Sequence, residues 1–579
     1  MSTFRTCNEI RIEDIGTQIN VRGFVSKTRN LGSMIFIDLR DRSGILQLVI
    51  GPEHLEYELA KTIRNEFVIS ISGIVVERQS KNPKLATGDI EITIIDFNII
   101  SQAKTTPLII AEQTDALEEV RLKYRYLDLR RPNMQSRLIL RHQVNKIIHA
   151  FLDNEAFIEV ETPILSKSTP EGARDYLVPS RVQKGEFYAL PQSPQLYKML
   201  LMLSGLEKYY QIVRCFRDED LRVDRQPEFT QLDIEQAFAS EEDMYALIEN
   251  LLARIFKKTK NIDIKQPFPK MQYETAMNTY GSDKPDTRFD MTLIDVTAST
   301  RDADFSVFAL AEHVKFIAVP NGAKLSRKEI DALTEYVKIY QAKGLAWLKY
   351  QNNTLEGPIA KFFSEEEKHV FIQSSQADDG ALLLFVADSL DITNKALGQL
   401  RIHLARKLEL IPADSYNFLW VIDWPLFEYD ADDERFVAAH HPFTAPKEGT
   451  EYMLKSEREQ MLARAYDIVL NGYEIGGGSV RIHDPKTQKA MFEAIGMSEN
   501  TINEQFGFLL EAYSYGAPTH AGIALGIDRL MMILTGTDSI TDVIAFPKTL
   551  SARDLMMQSP SAVSAEQLSE LAVSSLKEK

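Results

Sequence analysis

Cysteine is scarce in this sequence: Cys7 and Cys215 are the only two in 579 residues. That excludes a disulfide framework and any zinc-ribbon spacing, and it reads as an intracellular chain. Long apolar runs are missing too. Ala381 to Ala387, among the longest, falls far short of the roughly 20 residues a membrane-spanning helix needs. The opening stretch MSTFRTCNEIRIED carries charge early and offers no apolar h-region of a secretory signal. The expectation is a soluble, cytoplasmic protein with no membrane partner. No Walker A sequence occurs, which excludes a P-loop, and there is no internal repeat. Net positive charge is absent as well: 66 Lys and Arg against 83 Asp and Glu leave −17. A broad basic surface for indiscriminate nucleic-acid binding is thereby excluded. The imbalance is uneven, because residues 1–105 hold thirteen of each sign. A local patch can still bind RNA selectively.

The length calls for three or four domains, and 44% hydrophobic with 26% charged residues is the balance of a globular chain. Residues 1–105 read as β. Val21 to Ser26, Met34 to Arg40, Leu46 to Ile50, Phe67 to Val76 and Ile90 to Ile100 are β-rich, with turn signals such as Asp41-Arg42-Ser43-Gly44 between them. Five short strands in this span suit a small Greek-key barrel of the OB type. Residues 106–135 form a linker with Pro107 and a charged, helical stretch. Val144, Ile147, Ile148, Phe151 and Leu152 then share one helical face, and Phe157 to Thr162 is a short strand stopped by Pro163. Strands and helices mix up to residue 283 without βαβ regularity, which points to α+β on an antiparallel sheet. Residues 284–412 look inserted, with a helix over Lys328 to Gln341. Chemistry-rich sequence resumes over 413–550, and 551–579 is a tail with a helix from Ala565 to Leu576.

Three segments carry the chemistry. In YYQIVRCFRDEDLRVDRQPEFTQLDIEQAF, Tyr210 to Phe238, one strand face holds Phe229, Gln231, Asp233 and Glu235, while Thr230, Leu232 and Ile234 take the other. An aromatic, an amide and carboxylates beside Arg217 are unsuited to a dry core. They suit a nucleotide, with Arg217 on a phosphate, Phe229 under a base and Asp233 on an ammonium group. A salt-bridged, exposed sheet face fits the periodicity equally well. In GIALGIDRLMMIL, Gly522 to Leu534, Gly526 permits close backbone approach and Arg529 stands in the first turn of an apolar helix. In DIVLNGYEIGGGSVRIHD, Asp467 to Asp484, three glycines lie beside Glu474 and Arg481. They point to a strand pressed against a ligand, or else to a glycine bulge. Asp467 and Glu474 can hold magnesium on a triphosphate, since that ion takes one or two carboxylates plus phosphate oxygens.

The loop Phe216-Arg217-Asp218-Glu219 with Gln226-Pro-Glu-Phe229, and Gly526-Ile-Asp-Arg529, resemble the second and third signature motifs of class II aminoacyl-tRNA synthetases. The helix and strand ending at Pro163 resemble the first, dimer-forming motif. Thr169-Pro-Glu-Gly-Ala-Arg-Asp175, Gln192-Ser-Pro-Gln-Leu-Tyr-Lys198, His440-His-Pro-Phe-Thr444 and Asn471-Gly-Tyr-Glu-Ile-Gly-Gly-Gly-Ser-Val-Arg481 follow in order. Over nearly the whole chain the pattern is similar to the bacterial type of aspartyl-tRNA synthetase. Lys324-Leu-Ser-Arg327 only faintly resembles a class I loop and lacks its partner motif.

The resemblance implies an OB-fold anticodon-binding domain (1–105), a hinge (106–135), a class II catalytic core in two parts (136–283 and 413–550), an inserted, GAD-type domain (284–412) and a C-terminal extension (551–579). It implies ATP, L-aspartate and tRNA(Asp) as substrates, magnesium as cofactor and a homodimer. Arg217 would bridge the substrate carboxylate and the α-phosphate, and Arg529 would hold the far end of a bent ATP. Asp218, Glu219, Gln226, Phe229, Glu474, Gly526, Ile527 and Asp528 would complete the ATP site, with Arg217, Arg529 and Glu219 catalytic. Lys198 and Arg481 would take the side-chain carboxylate, Arg as a planar fork. Asp233, Ser193 and Gln195 would hold the ammonium group, with Glu171 and His440 closing over it. In the barrel Phe36 would stack on an anticodon base, Gln47 would read a base edge and Arg29 would contact a phosphate or base. Leu31 leans toward a form that does not charge tRNA(Asn).

The nearest rival is an asparagine- or lysine-specific synthetase of the same subclass, against which the Lys198 and Arg481 pair argues. A catalytically dead tRNA-binding paralogue should have lost Arg217, Arg529 or Glu474. An asparagine-synthetase-like ligase should lack the barrel.

Overall fold

The computed structural model describes residues 3–168, 173–431 and 434–575. The chain forms two compact units, Met1–Leu140 with Thr541–Ala562, and Arg141–Ile540 with Val563–Lys579.

In the first unit, alternation along short strands closes a barrel. Its spatial order is Gln18–Leu31, Met34–Arg40, Ile45–Ile50, Ile90–Ser101 and Val68–Glu77, back to the first. Ile35, Ile37 and Leu39 are buried inside while Phe36 and Asp38 stand half-buried on the outer face, as period-2 alternation dictates. The pairing is antiparallel except between the third and last sequence strands, where Leu48 faces Ile92. The charged stretch after Pro107 makes two short helices, Glu118–Lys123 and Arg125–Asp128. Three arginines here converge on one carboxylate. The fully buried Asp128 accepts from Arg121, Arg125 and Arg131 at 3.1, 2.6 and 2.8 Å. Arg125 also donates to the carbonyls of Thr541, Ile544 and Ala545, so residues 541–562 belong to this unit.

The second unit is built on an eight-stranded sheet. Its order is Lys270–Gln272, Phe418–Ile422, Ala465–Leu470, Tyr473–Val480, His520–Gly526, Glu228–Ala237, Lys208–Phe216 and Ile158–Glu159. The six central strands pair antiparallel, and each edge strand is added in parallel. Helix Pro132–Asn154 has Val144, Ile148, Phe151 and Leu152 buried.

Between the two halves of that sheet the chain builds a second, five-stranded sheet. Its order is Ile294–Asp295, His313–Val319, Leu382–Asp388, Ala346–Gln351 and Thr354–Glu356. Helices Arg327–Lys338 and Leu390–Lys407 cover one face through Leu333, Val337, Leu397 and Leu400. Phe308, Phe316, Phe371 and Phe385 fill the other. The apolar run from Ala381 is its central strand, buried on both faces.

Three sequence expectations are shortened, one of them the helix read over Lys328 to Gln341, which ends at Lys338. The strand read from Phe157 to Thr162 is Ile158–Glu159, because Phe157 turns inward before pairing starts. The tail helix is Ala565–Glu570, capped by Ser564 and followed by Ala572 in the left-handed region. Among the described residues no helix is long and apolar enough to cross a membrane.

Candidate active site

The central strands of the eight-stranded sheet floor a cavity of about 550 Å³. Helix Gln195–Leu203 brings Lys198 over the floor, and strand Glu228–Ala237 presents Asp233 and Glu235 on its inward face. Arg481 follows strand Tyr473–Val480 directly. Lys198 Nζ donates to Asp233 Oδ1 at 2.7 Å and lies 3.3 Å from Glu235 Oε2. Arg481 donates through Nε and Nη2 to the two oxygens of Glu235, at 3.0 and 3.1 Å. Its Nη1 donates to His441 Nε2 at 2.7 Å and to Ser479 Oγ. All four charged residues are at most 2% exposed.

Burial would raise the Glu235 carboxyl, but Arg481 and Lys198 outweigh it and bring it down to about 2. For Asp233 burial wins over Lys198, and its carboxyl is raised. Two cations and two carboxylates thus balance in a place where unpaired charge is costly. Three cavity-lining atoms, Gln195 Nε2, Asp233 Oδ2 and His440 Nδ1, are buried without a partner among the described residues. Buried polar atoms in that state mark where a ligand or water completes the hydrogen bonding.

Further along the cavity the Arg217 guanidinium lies 5.1 Å over the Phe229 ring. Glu219 pairs with Arg225 at 3.0 Å, and Gln226 is buried. Arg529 donates to the Glu474 carbonyl at 2.8 Å and bridges the carboxylates of Asp224, at 3.2 Å, and Glu474, at 3.6 Å. His440 Nε2 is 3.9 Å from Asp467. Burial and the neighbouring Glu474 push the Asp467 carboxyl up to about 6. Among the described residues no group of three or more His, Cys, Asp or Glu gathers as a metal site. Asp467 and Glu474 alone still fit magnesium on a triphosphate, because phosphate oxygens and water fill the rest of its shell.

The triple glycine lets strand Tyr473–Val480 pack closely against its neighbours. An added Cβ at Gly476 or Gly478 would run into strand His520–Gly526, at 2.7 Å from Ala524 O and 2.2 Å from Gly522 O. At Gly477 it would meet Asp467 Oδ1 at 2.6 Å, inside the cavity. A register shift opposite Ile468 and Val469 leaves Ile475 as the extra residue, so the bulge adjoins the glycines, which themselves pair in regular register. At Gly526 only Ile475 O comes within 4 Å, at 3.8 Å, so no protein neighbour demands the glycine there.

The cavity brings together Ser193, Gln195, Lys198, Arg217, Glu219 and Gln226 with Phe229, Asp233, His440, Asp467 and Glu474. Arg481, Gly526, Asp528 and Arg529 join them. Three expected ATP or aspartate contacts fall differently. Asp218 is exposed outside the cavity, and Ile527 is buried beneath it. Asp528 reaches its wall, but its carboxylate is committed to the Thr230 amide, at 2.8 Å, and to Arg141. Glu171 lies outside the described residues. Pro163 is exposed beside Ile158, Ile164 and Leu165, each exposed too. Sequence reasoning missed Asp224, Glu235, His441 and Ser479 as site residues. Glu235 was signalled by its shared strand face with Asp233, and His441 by its place in the His440-to-Thr444 string.

In the barrel unit Arg29, Phe36 and Gln47 do meet. Arg29 is the cross-strand partner of Phe36 and donates to Asp38 at 2.7 Å and Gln47 Oε1 at 3.1 Å. Gln47 is 5% exposed and donates to Glu91, so its amide is engaged rather than open.

Residues 117–550 match the model of tRNA synthetases class II (D, K and N), and residues 19–100 match the OB-fold nucleic acid binding domain. The aspartate–tRNA(Asp/Asn) ligase of Anoxybacillus flavithermus is 55% identical over 98% of this chain and 97% of its own. That of Bacillus cereus (strain ATCC 10987) gives the same figures. The chain belongs to the class II aspartate–tRNA ligases. Members of this family are ATP-dependent ligases, and ATP as a substrate fits an aminoacyl-tRNA synthetase. Among solved structures, the asparaginyl-tRNA synthetase of Pyrococcus horikoshii complexed with asparaginyl-adenylate superposes with TM-score 0.60 at 19% identity, covering 95% of this chain and 99% of that one. The aspartyl tRNA synthetase of Entamoeba histolytica gives 0.58 at 17% identity, over 94% and 91%. At such identities the likeness concerns the fold alone.

Proposed function

We propose that this ligase activates L-aspartate with ATP to aspartyl-adenylate, releasing pyrophosphate, and passes aspartate to the 3′ end of tRNA(Asp). The observation that carries the amino acid is the buried pair Lys198 and Arg481 at one end of a cavity whose Asp233 Oδ2 and Gln195 Nε2 lack partners among the described residues. A small diacid with an ammonium group matches that set. Its side-chain carboxylate would face the two cations, and its ammonium would donate to Asp233 Oδ2, with Ser193 and Gln195 beside it. An amide in place of the carboxylate would turn N–H groups toward Lys198 and Arg481.

The α-carboxylate attacks the α-phosphate, a step that needs positioning and charge neutralisation more than covalent help. Arg217 would move from its ring contact to bridge the two reacting groups, leaving Phe229 free to stack under the base. Arg529, already suspended between Asp224 and Glu474, would take the terminal phosphate, with Glu219 and Gln226 at the base. Asp467 and Glu474 would hold magnesium, which when bound neutralises triphosphate charge.

The 1–105 barrel would read the anticodon through Phe36 and Arg29, and residues 284–412 form the inserted domain. The apolar surface around Pro163 supports a homodimer, and the enzyme would act in the cytoplasm. A second reading, in which tRNA(Asn) is charged too, is favoured by the relatives' names, tRNA(Asp/Asn) ligases. Against it stands only Leu31, exposed at the end of a barrel hairpin. ATP–pyrophosphate exchange should depend on aspartate and stay near background with asparagine or lysine. The reverse would end the proposal. Charging of purified tRNA(Asp) and tRNA(Asn) separates the two readings.

A further inference from the structure

A guanidinium only donates hydrogen bonds and stays protonated at any working pH. The 2.7 Å contact between Arg481 Nη1 and His441 Nε2 therefore fixes Nε2 as an acceptor. A neutral ring then carries its proton on Nδ1, which lies 3.3 Å from Thr444 Oγ1. The Phe443 amide N–H also points at Nδ1, at 3.2 Å, so both ring nitrogens face a donor. The charged and shorter Arg481 contact keeps Nε2 the acceptor, because an imidazolium or an Nε2-protonated ring would set N–H against the guanidinium there. Thr444 Oγ1 continues to Ser479 Oγ at 3.3 Å, and Ser479 Oγ accepts from Arg481 Nη1. The chain of contacts closes on itself.

The donor inventory of Arg481 sharpens the point. Of a guanidinium's five N–H groups, Nε and one on Nη2 go to Glu235, and both on Nη1 go to His441 and Ser479. Among the described residues this leaves a single Nη2 proton without a partner. Arg481 thus has one directed N–H left for a ligand, where the sequence suggested a planar fork.

We propose that His441 is a positioning residue which, as a neutral acceptor in the Arg481–His441–Thr444–Ser479 ring, aims that last N–H of Arg481 at the substrate's side-chain carboxylate. The proposal deepens the aspartate reading and rests on it. Burial and the Arg481 charge hold the His441 ring well below the usual histidine range, in keeping with a neutral ring. Without the acceptor the guanidinium keeps its Glu235 anchor but can swing about it, and the free N–H loses its aim.

The test is ATP–pyrophosphate exchange with the full-length enzyme, comparing His441→Leu, which has no acceptor, with His441→Gln, whose amide oxygen can stand near the Nε2 position. The Leu variant should raise KM for aspartate by about tenfold or more, with KM for ATP unchanged, and lower the aspartate-over-asparagine ratio of kcat/KM by a similar factor. The Gln variant should recover most of both. Unchanged aspartate KM and selectivity in the Leu variant would overturn the proposal. So would a Gln variant as impaired as Leu, or an equal rise in KM for ATP. Should His441→Leu not fold, Ser479→Ala opens the ring from its other side. A rise in aspartate KM alone, roughly three- to tenfold, is then expected, and no change overturns the proposal. If the unmodified enzyme does not use aspartate, the function itself is wrong. If it does and the variants behave normally, only the role of His441 falls.

Discussion

Glu235 closes the fork of Arg481, accepting from Nε and Nη2 at 3.0 and 3.1 Å, and the same carboxylate lies 3.3 Å from Lys198. One fixed anion thus spaces the two cations of the pocket. Because Asp233 holds Lys198 from the other side, the protein has already neutralised much of the field that a substrate carboxylate would feel. What remains for discrimination is direction: which N–H groups are left over, and where they point.

Lys198 is the partner of two buried carboxylates and, in the proposed function, a ligand for substrate as well. Lys198→Met should abolish aspartate-dependent exchange, and it should also cost about 3–5 kcal/mol of stability, the usual penalty for leaving buried charge unpaired. Denaturant midpoints read the second effect. An inactive variant with unchanged stability would mean that Asp233 and Glu235 do not rely on Lys198.

Two glycines should respond in opposite ways. Gly526→Ala has open space around the new methyl, with Ile475 O at 3.8 Å, so the fold should be unaffected. Its methyl projects where a nucleotide would lie close, and KM for ATP should rise several-fold. Gly477→Ala meets Asp467 Oδ1 at 2.6 Å. That should displace the carboxylate and raise the magnesium concentration needed for half-maximal exchange. Equal behaviour of the two variants would argue against separate nucleotide and cation ends of the cavity.

The contrast also shows what the sequence could disclose. The strand face of Phe229, Gln231, Asp233 and Glu235, the barrel alternation of Ile35, Ile37 and Leu39, and the helix after Gly526 follow from period and local chemistry. Those features were legible. Asp528 was not: in sequence it belongs to the Gly526–Arg529 string, yet its carboxylate pins the Thr230 amide and Arg141, partners 298 and 387 residues away. Likewise nothing local reveals that Thr541, Ile544 and Ala545 tie back to Arg125. Long-range polar closure leaves no periodic trace, and the pairing of Glu235 with Arg481 across 246 positions is of the same kind.

The barrel offers a test that separates recognition from chemistry. Phe36 stands half-buried on the outer face, across from Arg29, whose guanidinium is tied to Asp38 and Gln47. If an unpaired base stacks there, Phe36→Ala should lower kcat/KM for tRNA by a factor corresponding to about 1–3 kcal/mol. ATP–pyrophosphate exchange should be untouched. Loss of both activities together would show that the ring supports the barrel and reads no base.

Acid stability should report the same buried network. The Glu235 carboxyl is depressed from an ordinary 4.5 to about 2 in the folded chain. A depressed carboxyl contributes stability that is complete above its unfolded value and is lost as pH falls through the folded one. The contribution, about 3 kcal/mol for a shift of this size, should therefore drain away between about pH 4.5 and pH 2. Asp233 has the opposite sign: burial raises its carboxyl, so its contribution is present at low pH and fades as pH rises through its folded value. Glu235→Gln should flatten the acid limb of the stability curve, and Asp233→Asn should steepen it. If both substitutions shifted the limb in the same direction, the division of roles between the two carboxylates would be wrong, because one proton balance cannot give both signs.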